Sequence, residues 1–392
     1  MSRRSFATTT IAAALLMLPS IAHGSVSDRG HNVKAPDRDK SIKVYGNVRI
    51  DGTFSPNRDL YFKDPLSFKE GASKNAPKNT TRMNIEKSRL GIIANNDGVT
   101  TTLEVEADGS YDQSKVAFKL RQATIGFGNL VLGRACSTFI DPNASPETLS
   151  PSSPIGQPNY SVSNINLIRY AGHINERSNF ALSLEEGISK PNTDDFDKSN
   201  YIRNSKCPTM VGSFDYKTSW GHVGVRALEQ HWGTYDIKGG LATKDKWAGA
   251  AQLSGSVNIG KDKLLGTIYT GKGLGVYGTE NDSRIVIEEG VKQHIALNKQ
   301  TGWQVGYTHN WNSKIRSNAV VSCANTIMRD CKSYIKNAQD YSVNTMVKIA
   351  KNIEFGTEYL HQKTKFADDA TSNSGSKKMN ANRIAAALIS KF

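Results

Sequence analysis

Residues 42–51 read IKVYGNVRID, and in this stretch apolar and polar residues alternate. A period of two predicts a β-strand with one apolar face and one polar face. The pattern recurs at 99–106, 180–185, 223–227, 341–349 and 353–359. Helical periodicity is scarce beyond residue 41. These stretches therefore predict an all-β protein.

The connections between the alternating stretches are short and long in turn. Short ones, rich in residues that favour turns, lie at 95–98, 128–129, 175–178, 220–221, 261–263, 312–314 and 351–352. Longer polar loops lie at about 54–80, 108–114, 137–163, 188–205, 232–244, 272–300, 323–335 and 363–376. Eight long loops and seven short turns predict sixteen strands.

The composition limits what such a sheet can be. The chain has 392 residues, a formal net charge of +14 and only 38% hydrophobic residues, with a mean hydropathy of −0.48. This polarity excludes a transporter built from apolar helices of about 20 residues. A hydrophobic fraction of 38% is also low for the core of a soluble β-sandwich, which is the alternative fold class. An even strand number with alternately short and long connections favours a 16-stranded antiparallel transmembrane β-barrel whose lumen is polar.

The first 24 residues have the features of a secretory signal peptide. Arg3 and Arg4 precede a short apolar run at 11–18, Pro19 ends it, and small residues follow at 22–24. We therefore predict a signal peptide (1–24), a short N-terminal segment (25–41) and the barrel (42–392). Because export takes the chain out of the cytoplasm, we predict no nucleic-acid partner.

The last stretch, 384–392, alternates again and ends at Phe392. A terminal aromatic residue on such a strand resembles the signal that barrel-assembly machinery recognises. The predicted partners are this machinery, outer-membrane lipid and lipopolysaccharide. The predicted location is the outer membrane of a Gram-negative bacterium.

The third long loop contains the most distinctive sequence. LGR at 132–134 is followed by STFIDP at 137–142, PET at 146–148 and IRY at 168–170. These motifs resemble the loop region of the DcaP-like porins, and VYG at 44–46 and SRLG at 88–91 are similar to the first strands of trimeric Gram-negative porins. Proline at 142, 146, 151 and 154 suits an irregular loop rather than a central strand.

The resemblance implies a homotrimer of sixteen-stranded barrels, with loop 137–163 folded inward as a constriction. It also implies uptake of small anionic solutes such as dicarboxylates. Two features depart from the family. Cys136 stands where an aromatic residue is usual, and 25–41 is too short for the N-terminal coiled coil of some members. We therefore expect the trimer contacts to lie on the barrel walls.

Strand parity predicts which charges face the lumen, although a slip of one residue would reverse a strand's faces. The predicted inward charges are eleven basic and seven acidic: Lys43, Arg49, Lys87, Arg89, Lys119, Arg121, Arg169, Arg226, Arg316, Lys348 and Arg383, with Asp51, Glu104, Glu106, Glu185, Asp215, Glu354 and Glu358. Loop 137–163 has no Lys or Arg. We expect basic wall residues to face the acidic loop across a narrow gap and to favour anions.

The candidate pore-lining residues are those near the third loop: Arg49, Arg89, Arg121, Arg169, Asp141 and Glu147. Arginine suits carboxylate solutes because its fork can bond both oxygens. Each arginine has the alternative of pairing with a wall carboxylate or being solvated, and each acid of capping a turn in the loop. Arg134 has no assigned face, because its strand turns into the loop there.

The remaining motifs give weaker indications of function. Residues 273–278 fit G-x-G-x-x-G, but no helix or βαβ unit follows, so a loop is predicted instead of a nucleotide site. The eight histidines lack metal-ligand spacing. No catalytic pair stands out, so we predict no enzyme, cofactor or metal.

Four cysteines in an exported chain permit disulfides. Cys323 and Cys331 enclose seven residues of the seventh long loop, and we predict that they pair. For Cys136 and Cys207, near the extracellular strand ends, pairing and free thiols remain alternatives.

The sequence favours a passive channel for small hydrophilic solutes with a preference for anions. The alternative is a surface adhesin or receptor acting through its long loops, with transport incidental. Conductance under a salt gradient distinguishes the two.

Overall fold

The strands follow the alternating stretches of the sequence. The computed structural model describes residues 31–34, 40–57, 78–109, 116–150, 153–158, 164–186, 201–203, 205–236, 245–278, 284–288, 292–327, 334–367 and 378–392. The barrel strands are β1 (Ser41–Ser55), β2 (Thr80–Asn84 with Arg89–Asn96), β3 (Val99–Gly109), β4 (Val116–Phe127), β5 (Leu130–Ala135), β6 (Ile165–His173), β7 (Ser178–Glu185), β8 (Thr209–Lys217), β9 (Gly221–Trp232), β10 (Lys246–Ile259), β11 (Asp262–Lys272), β12 (Lys299–Asn310), β13 (Ile315–Ile327), β14 (Ile335–Ala350), β15 (Ile353–Phe366) and β16 (Lys378–Lys391).

The sheet closes on itself. Each strand pairs antiparallel with its sequence neighbours, and β1 pairs with β16 from Asn47↔Lys391 to Phe54↔Ile384. The sheet has eighteen segments, because β2 is interrupted and His31–Lys34 forms a short strand against residues 41–44 of β1. In the described residues the predicted sixteen-stranded barrel is thus confirmed. Closure pairs the strand edges and satisfies backbone groups that lipid could not.

The short turns lie at or within one or two residues of their predicted positions. Between β2 and β3, Asp97 and Gly98 have φ of 49° and 81°. Two positive φ values are the geometry of the hairpin turns whose twist matches that of the strands. The turns after β4 and β10 contain Gly128 and Gly260, with φ of 55° and 61°.

The two faces of the wall differ in polarity. Large apolar side chains are exposed on the outer face, including Ile50 at 43%, Ile168 at 51% and Leu388 at 42%. Charged side chains of the opposite parity are buried on the inner face. A groove of about 840 Å³ lies on the outer face of the wall, separate from the inner face. It is lined mainly by apolar residues of β5 to β10.

Smaller elements lie in the connections. Tyr201–Arg203 pairs with Thr234–Asp236, and Arg284–Glu288 pairs with Lys292–Ala296. Single 3₁₀ turns span Pro142–Ala144 and Gly275–Tyr277. Among the described residues, no helix has the length and apolar character needed to cross a membrane.

The structure describes the C-terminal end of the chain but little of its N-terminal end. The predicted signal peptide, 1–24, lies outside the described residues, and so does most of 25–41. At the other end, Phe392 N donates to Gly46 O at 3.0 Å and Gly46 N donates to Phe392 O at 3.1 Å. A Cβ on Gly46 would lie 2.7 Å from the Phe392 ring, so glycine allows this ring to pack against β1.

Candidate functional site

The third long loop begins with hydrogen bonds to the inner faces of β6 and β7. The Glu185 carboxylate accepts from Ser137 Oγ at 2.6 Å and from Thr138 N at 2.8 Å. Arg169, 5% exposed, donates from Nε to Thr138 Oγ1 at 2.8 Å and from Nη2 to the Cys136 carbonyl. Arg169 therefore holds the start of the loop.

Asp141 contacts the next part of the wall. Its Oδ2 accepts from Ser254 Oγ at 2.5 Å and lies 3.0 Å from His222 Nε2 and 3.3 Å from Arg226 Nη1. Burial alone would raise the pKa of Asp141, but the His222 hydrogen bond and the Arg226 charge outweigh it and lower the pKa to about 2. Oδ1 also accepts from Asn143 N at 3.0 Å and caps a 3₁₀ turn. The sequence left two roles open for Asp141, contact with the wall and capping of a turn in the loop. In the structure Asp141 has both.

Glu147 forms the next contact. Its carboxylate accepts from Arg316 Nε and Nη2 at 2.7 and 2.6 Å. Asn318 Nδ2 donates to it at 3.1 Å. Such a two-pronged pair with guanidinium fixes geometry as well as charge. For Asp141 and Glu147, the expected gap between loop acids and wall cations is wrong, because both acids touch their cations directly.

Glu358 of β15 holds the loop by its backbone. Its carboxylate accepts from Leu149 N at 2.6 Å and Ser150 N at 2.9 Å. Arg49 Nη2 donates to the Leu149 carbonyl at 2.7 Å and forms an ion pair of the same length with Asp51. These contacts satisfy buried main-chain groups that would be costly to leave without partners.

The described end of the loop lies against β12 to β14. Ile155 N donates to Asp340 Oδ2 and Gly156 N to Ser322 Oγ, both at 3.1 Å. A Cβ on Gly156 would lie 1.9 Å from the Trp303 carbonyl oxygen. Only glycine permits this approach of the loop to the wall. The described loop therefore hydrogen bonds to side chains of β1, β6, β7 and each strand from β9 to β16.

A second group of charges lies on β2, β3 and β4. Three cations surround Glu106: Arg89 Nη2 at 2.6 Å, Lys87 Nζ at 3.3 Å and Arg121 Nε at 3.7 Å. Arg89 Nη1 also lies 3.6 Å from Glu104. In the contacts between described residues, the group therefore brings three cations to two carboxylates.

Backbone irregularities place two of these cations. Lys87, in the break of β2, has a φ of 68°, which is uncommon for a residue with a side chain. Arg121 is the extra residue of a β-bulge, since Glu104 pairs with Gln122 and Val105 with Leu120. Bulges often re-aim a side chain next to a functional site.

The structure thus distributes the sequence-predicted residues over two sets. Arg49, Arg169, Asp141 and Glu147 contact the third loop or belong to it, whereas Arg89 and Arg121 join the β2–β4 group. Arg134 faces outward and donates to Leu120 O at 3.2 Å and Asn166 Oδ1 at 3.4 Å. It therefore lies outside the candidate site.

Residues holding the loop went unrecognised in the sequence as anchors. Strand parity places Glu185 and Glu358 on the inner face but assigns them no contact with the loop. Sequence reasoning does not single out Asp340, His222 or Ser254. The available signal is a polar residue at an inward position of an alternating strand, but that signal does not identify which loop atom it meets.

Asp141, Asp215 and His222 form a cluster of metal-ligand types within 4.8 Å. Arg226 lies between the carboxylates, with Nη1 3.3 Å from Asp141 and Nη2 2.8 Å from Asp215. A guanidinium thus supplies the positive charge that a metal would bring, and the cluster suits loop attachment better than ion binding.

The three described cysteines, Cys136, Cys207 and Cys323, form no disulfide with one another. Asn337 Nδ2 lies 3.3 Å from Cys323 Sγ. Cys331 lies outside the described residues, so its pairing with Cys323 stays a prediction.

A closed barrel with an apolar outer face and a charged inner face defines the class of outer-membrane channel barrels. A comparison with family models matches residues 36–387 to the Porin subfamily. The chain belongs to this family and is a multi-pass β-barrel of the outer membrane. A comparison with curated protein sequences finds no match.

Solved structures show the same fold. The chain resembles the outer membrane channel DcaP of Acinetobacter baumannii, with a TM-score of 0.76 and 19% identity over 93% of this chain and 99% of that one. It also resembles OmpF of Salmonella typhi, in a complex with daunomycin (TM-score 0.59, 12% identity, 92% and 100% coverage). OmpT of Vibrio cholerae, in a trimer form, has a TM-score of 0.56 and 11% identity, with 90% and 99% coverage.

Proposed function

We propose that the protein is a passive channel for small hydrophilic solutes with a preference for anions such as dicarboxylates. Loop 137–163 folds inward and narrows the lumen in this proposal. The family and fold support the channel role. The loop's hydrogen bonds to inner-face side chains, such as Leu149 N to Glu358 at 2.6 Å, support its place as the constriction.

The observation that carries the anion preference is the charge excess around Glu106. In the contacts between described residues three cations share two carboxylates there, and basic groups fixed in a low-dielectric wall attract anions. The loop acids Asp141 and Glu147 lie against Arg226 and Arg316 and have no contact with this group in the described residues.

The proposal includes a homotrimer. Its support is the family and the likeness to OmpT in a trimer form. A folded trimer should migrate as a slow band in SDS that heating converts to monomer. A single monomer-sized band before heating, with cross-linking giving no trimer, would contradict it.

Export and insertion complete the proposed function. Residues 1–24 direct export, and the strand ending at Phe392 is read by the barrel-assembly machinery. Replacing Phe392 with Ser should reduce insertion of the barrel while secretion across the inner membrane continues. Normal amounts of heat-modifiable barrel in the outer membrane would contradict this role of Phe392.

Bilayer recording under a potassium chloride gradient tests the channel. The expected reversal potential has the sign of chloride preference, and replacing chloride with small dicarboxylates should preserve it. Absence of conductance rejects the channel itself. Conductance with a cation preference rejects only its proposed selectivity.

A further inference from the structure

The described start of the sixth long loop, residues 273–278, lies inside the barrel. Its Leu274 and Tyr277 side chains are both 0% exposed. They form one apolar cluster with residues of β6, β8, β9 and β11: Leu167, Val211, Leu228 and Tyr269. These wall residues face inward, because their parity is opposite to that of exposed neighbours such as Ile168 and Ile268. The segment with the G-x-G-x-x-G pattern therefore folds into the lumen.

Tyr277 links this segment to β7 and to the third loop. Its hydroxyl donates to Glu185 Oε2 at 3.0 Å, and the same oxygen accepts from Ser137 Oγ. Its ring meets that of Phe139 edge to face, with 6.1 Å between the centroids. Along the wall, β7 and β11 are four strand spacings apart, about 19 Å. The segment therefore crosses in front of β8 to β10.

The three glycines of the pattern account for the inward turn. Gly273 and Gly275 have φ of 58° and 57°, a region that residues with a side chain rarely adopt. The Gly273 carbonyl accepts from Trp232 Nε1 on β9 at 2.9 Å. A Cβ on Gly278 would lie 1.9 Å from Gln300 Oε1. The glycine spacing is thus explained by a tight turn against the wall.

The inward side chains of β1 to β4 differ from those behind the segment. Val211 and Leu228 are only 3% and 5% exposed, although both point toward the lumen. On β1 to β4, four inward cations are partly exposed: Arg82 toward the long loops, Lys87 and Lys119 beside Glu106, and Lys43 toward the short turns. Solvent therefore reaches the wall along β1 to β4 but is excluded behind the segment.

We propose that segment 273–278 is a second inward-folded element, which closes the β6–β11 side of the lumen and directs solutes along the cations of β1 to β4. This inference rests on the proposed channel function. The third loop supplies Phe139 to the apolar cluster, and the segment completes it with Leu274 and Tyr277. Together the two loops place the path off the barrel axis, next to the group around Glu106.

Leu274→Ala with Tyr277→Ala tests the closure by opening a second route. In the full-length protein, single-channel conductance should rise. The reversal potential under a potassium chloride gradient should move toward zero, because ions on the β6–β11 side are screened from the Glu106 group. The matched control is Leu264→Ala with Tyr307→Ala, a cross-strand pair of the same residue types exposed on the outer face. The control should conduct like the unaltered protein.

Thiol labelling tests the packing without depending on conductance. The native cysteines are first replaced by alanine. A single cysteine is then introduced by Val211→Cys behind the segment, or by Thr102→Cys at a partly exposed inward position of β3. A small water-soluble thiol reagent should modify the Thr102→Cys protein rapidly and leave the Val211→Cys protein unmodified in the same time. Adding Leu274→Ala with Tyr277→Ala should remove this protection.

Each variant is checked for folding by its heat-modifiable band. If the double alanine variant does not fold, an Asn-Gly turn joining the cross-strand partners Lys272 and Lys299 replaces the whole loop and should give the same changes. Rapid labelling of Val211→Cys beside an unaltered segment would overturn the inference, and so would conductance and reversal potential equal to the control's. Absence of conductance in the unaltered protein would instead reject the channel function itself.

Discussion

Two sectors of the inner wall use the same residue types differently. On β2 to β4 the contacts join wall to wall, as in the 2.6 Å ion pair of Arg89 with Glu106. From β9 to β16 they join wall to loop, as in the 2.6 Å pair of Arg316 with Glu147. Inward parity brings a charge to the lumen side, but its partner decides whether it contacts the loop or another residue of the wall.

The first prediction breaks the wall-to-wall sector and has the largest expected effect. Arg89→Gln with Arg121→Gln changes the group from three cations and two carboxylates to one cation and two carboxylates. The reversal potential under a salt gradient should move from anion preference to cation preference. Lys314→Gln with Lys351→Gln is the control, and an unchanged potential in the Arg variant would exclude these arginines from selectivity.

The second prediction breaks the wall-to-loop sector. Glu358→Ala leaves Leu149 N and Ser150 N without their acceptor, at a cost of about 1–3 kcal/mol for each buried group. The loop should loosen there, so single-channel conductance should rise and fluctuate more. Glu229→Ala, on the outer face, should conduct like the unaltered protein. A quiet current of unaltered size in Glu358→Ala would show that the loop does not limit conductance.

The third prediction distinguishes the two sectors by the direction in which the ion selectivity changes. Glu147→Gln removes a loop charge and leaves Arg316 paired with Glu354, whose Oε1 lies 3.0 Å from Nη1. Anion preference should increase, in the opposite direction to the Arg89 and Arg121 variant. The change should be smaller, because Glu147 is already neutralised. A shift toward cations would contradict this assignment.

The fourth prediction concerns acid and has the smallest effect near neutrality. The pKa of Asp141, about 2, lies below its ordinary value of 3.8, so its ionised form stabilises the folded loop above that range. This stabilisation falls as the pH drops from about 3.8 to about 2 and is lost below that range. Conductance of the unaltered protein minus that of Asp141→Asn should therefore be constant from neutral pH to about 4 and change near 2. A change centred near neutrality would contradict the Asp141 contacts.

Much of the fold follows from local sequence. Alternation fixes the faces of β1 through Ile50 and Arg49, and turn residues such as Asp97 and Gly98 mark the hairpins. The irregular positions do not follow, since the bulge at Arg121 interrupts an otherwise regular pattern. The wall residues that contact the loop are even harder to predict from sequence. Arg316 is 169 residues from Glu147, and no local pattern links residues that meet only when the barrel closes.

The way Glu358, Asp340 and Glu185 hold the loop affects how the channel can diversify. Each of these carboxylates accepts a main-chain N–H of the loop, from Leu149, Ile155 and Thr138 respectively. Main-chain donors persist through nearly any substitution. Loop side chains can therefore be exchanged while the loop keeps its attachment points.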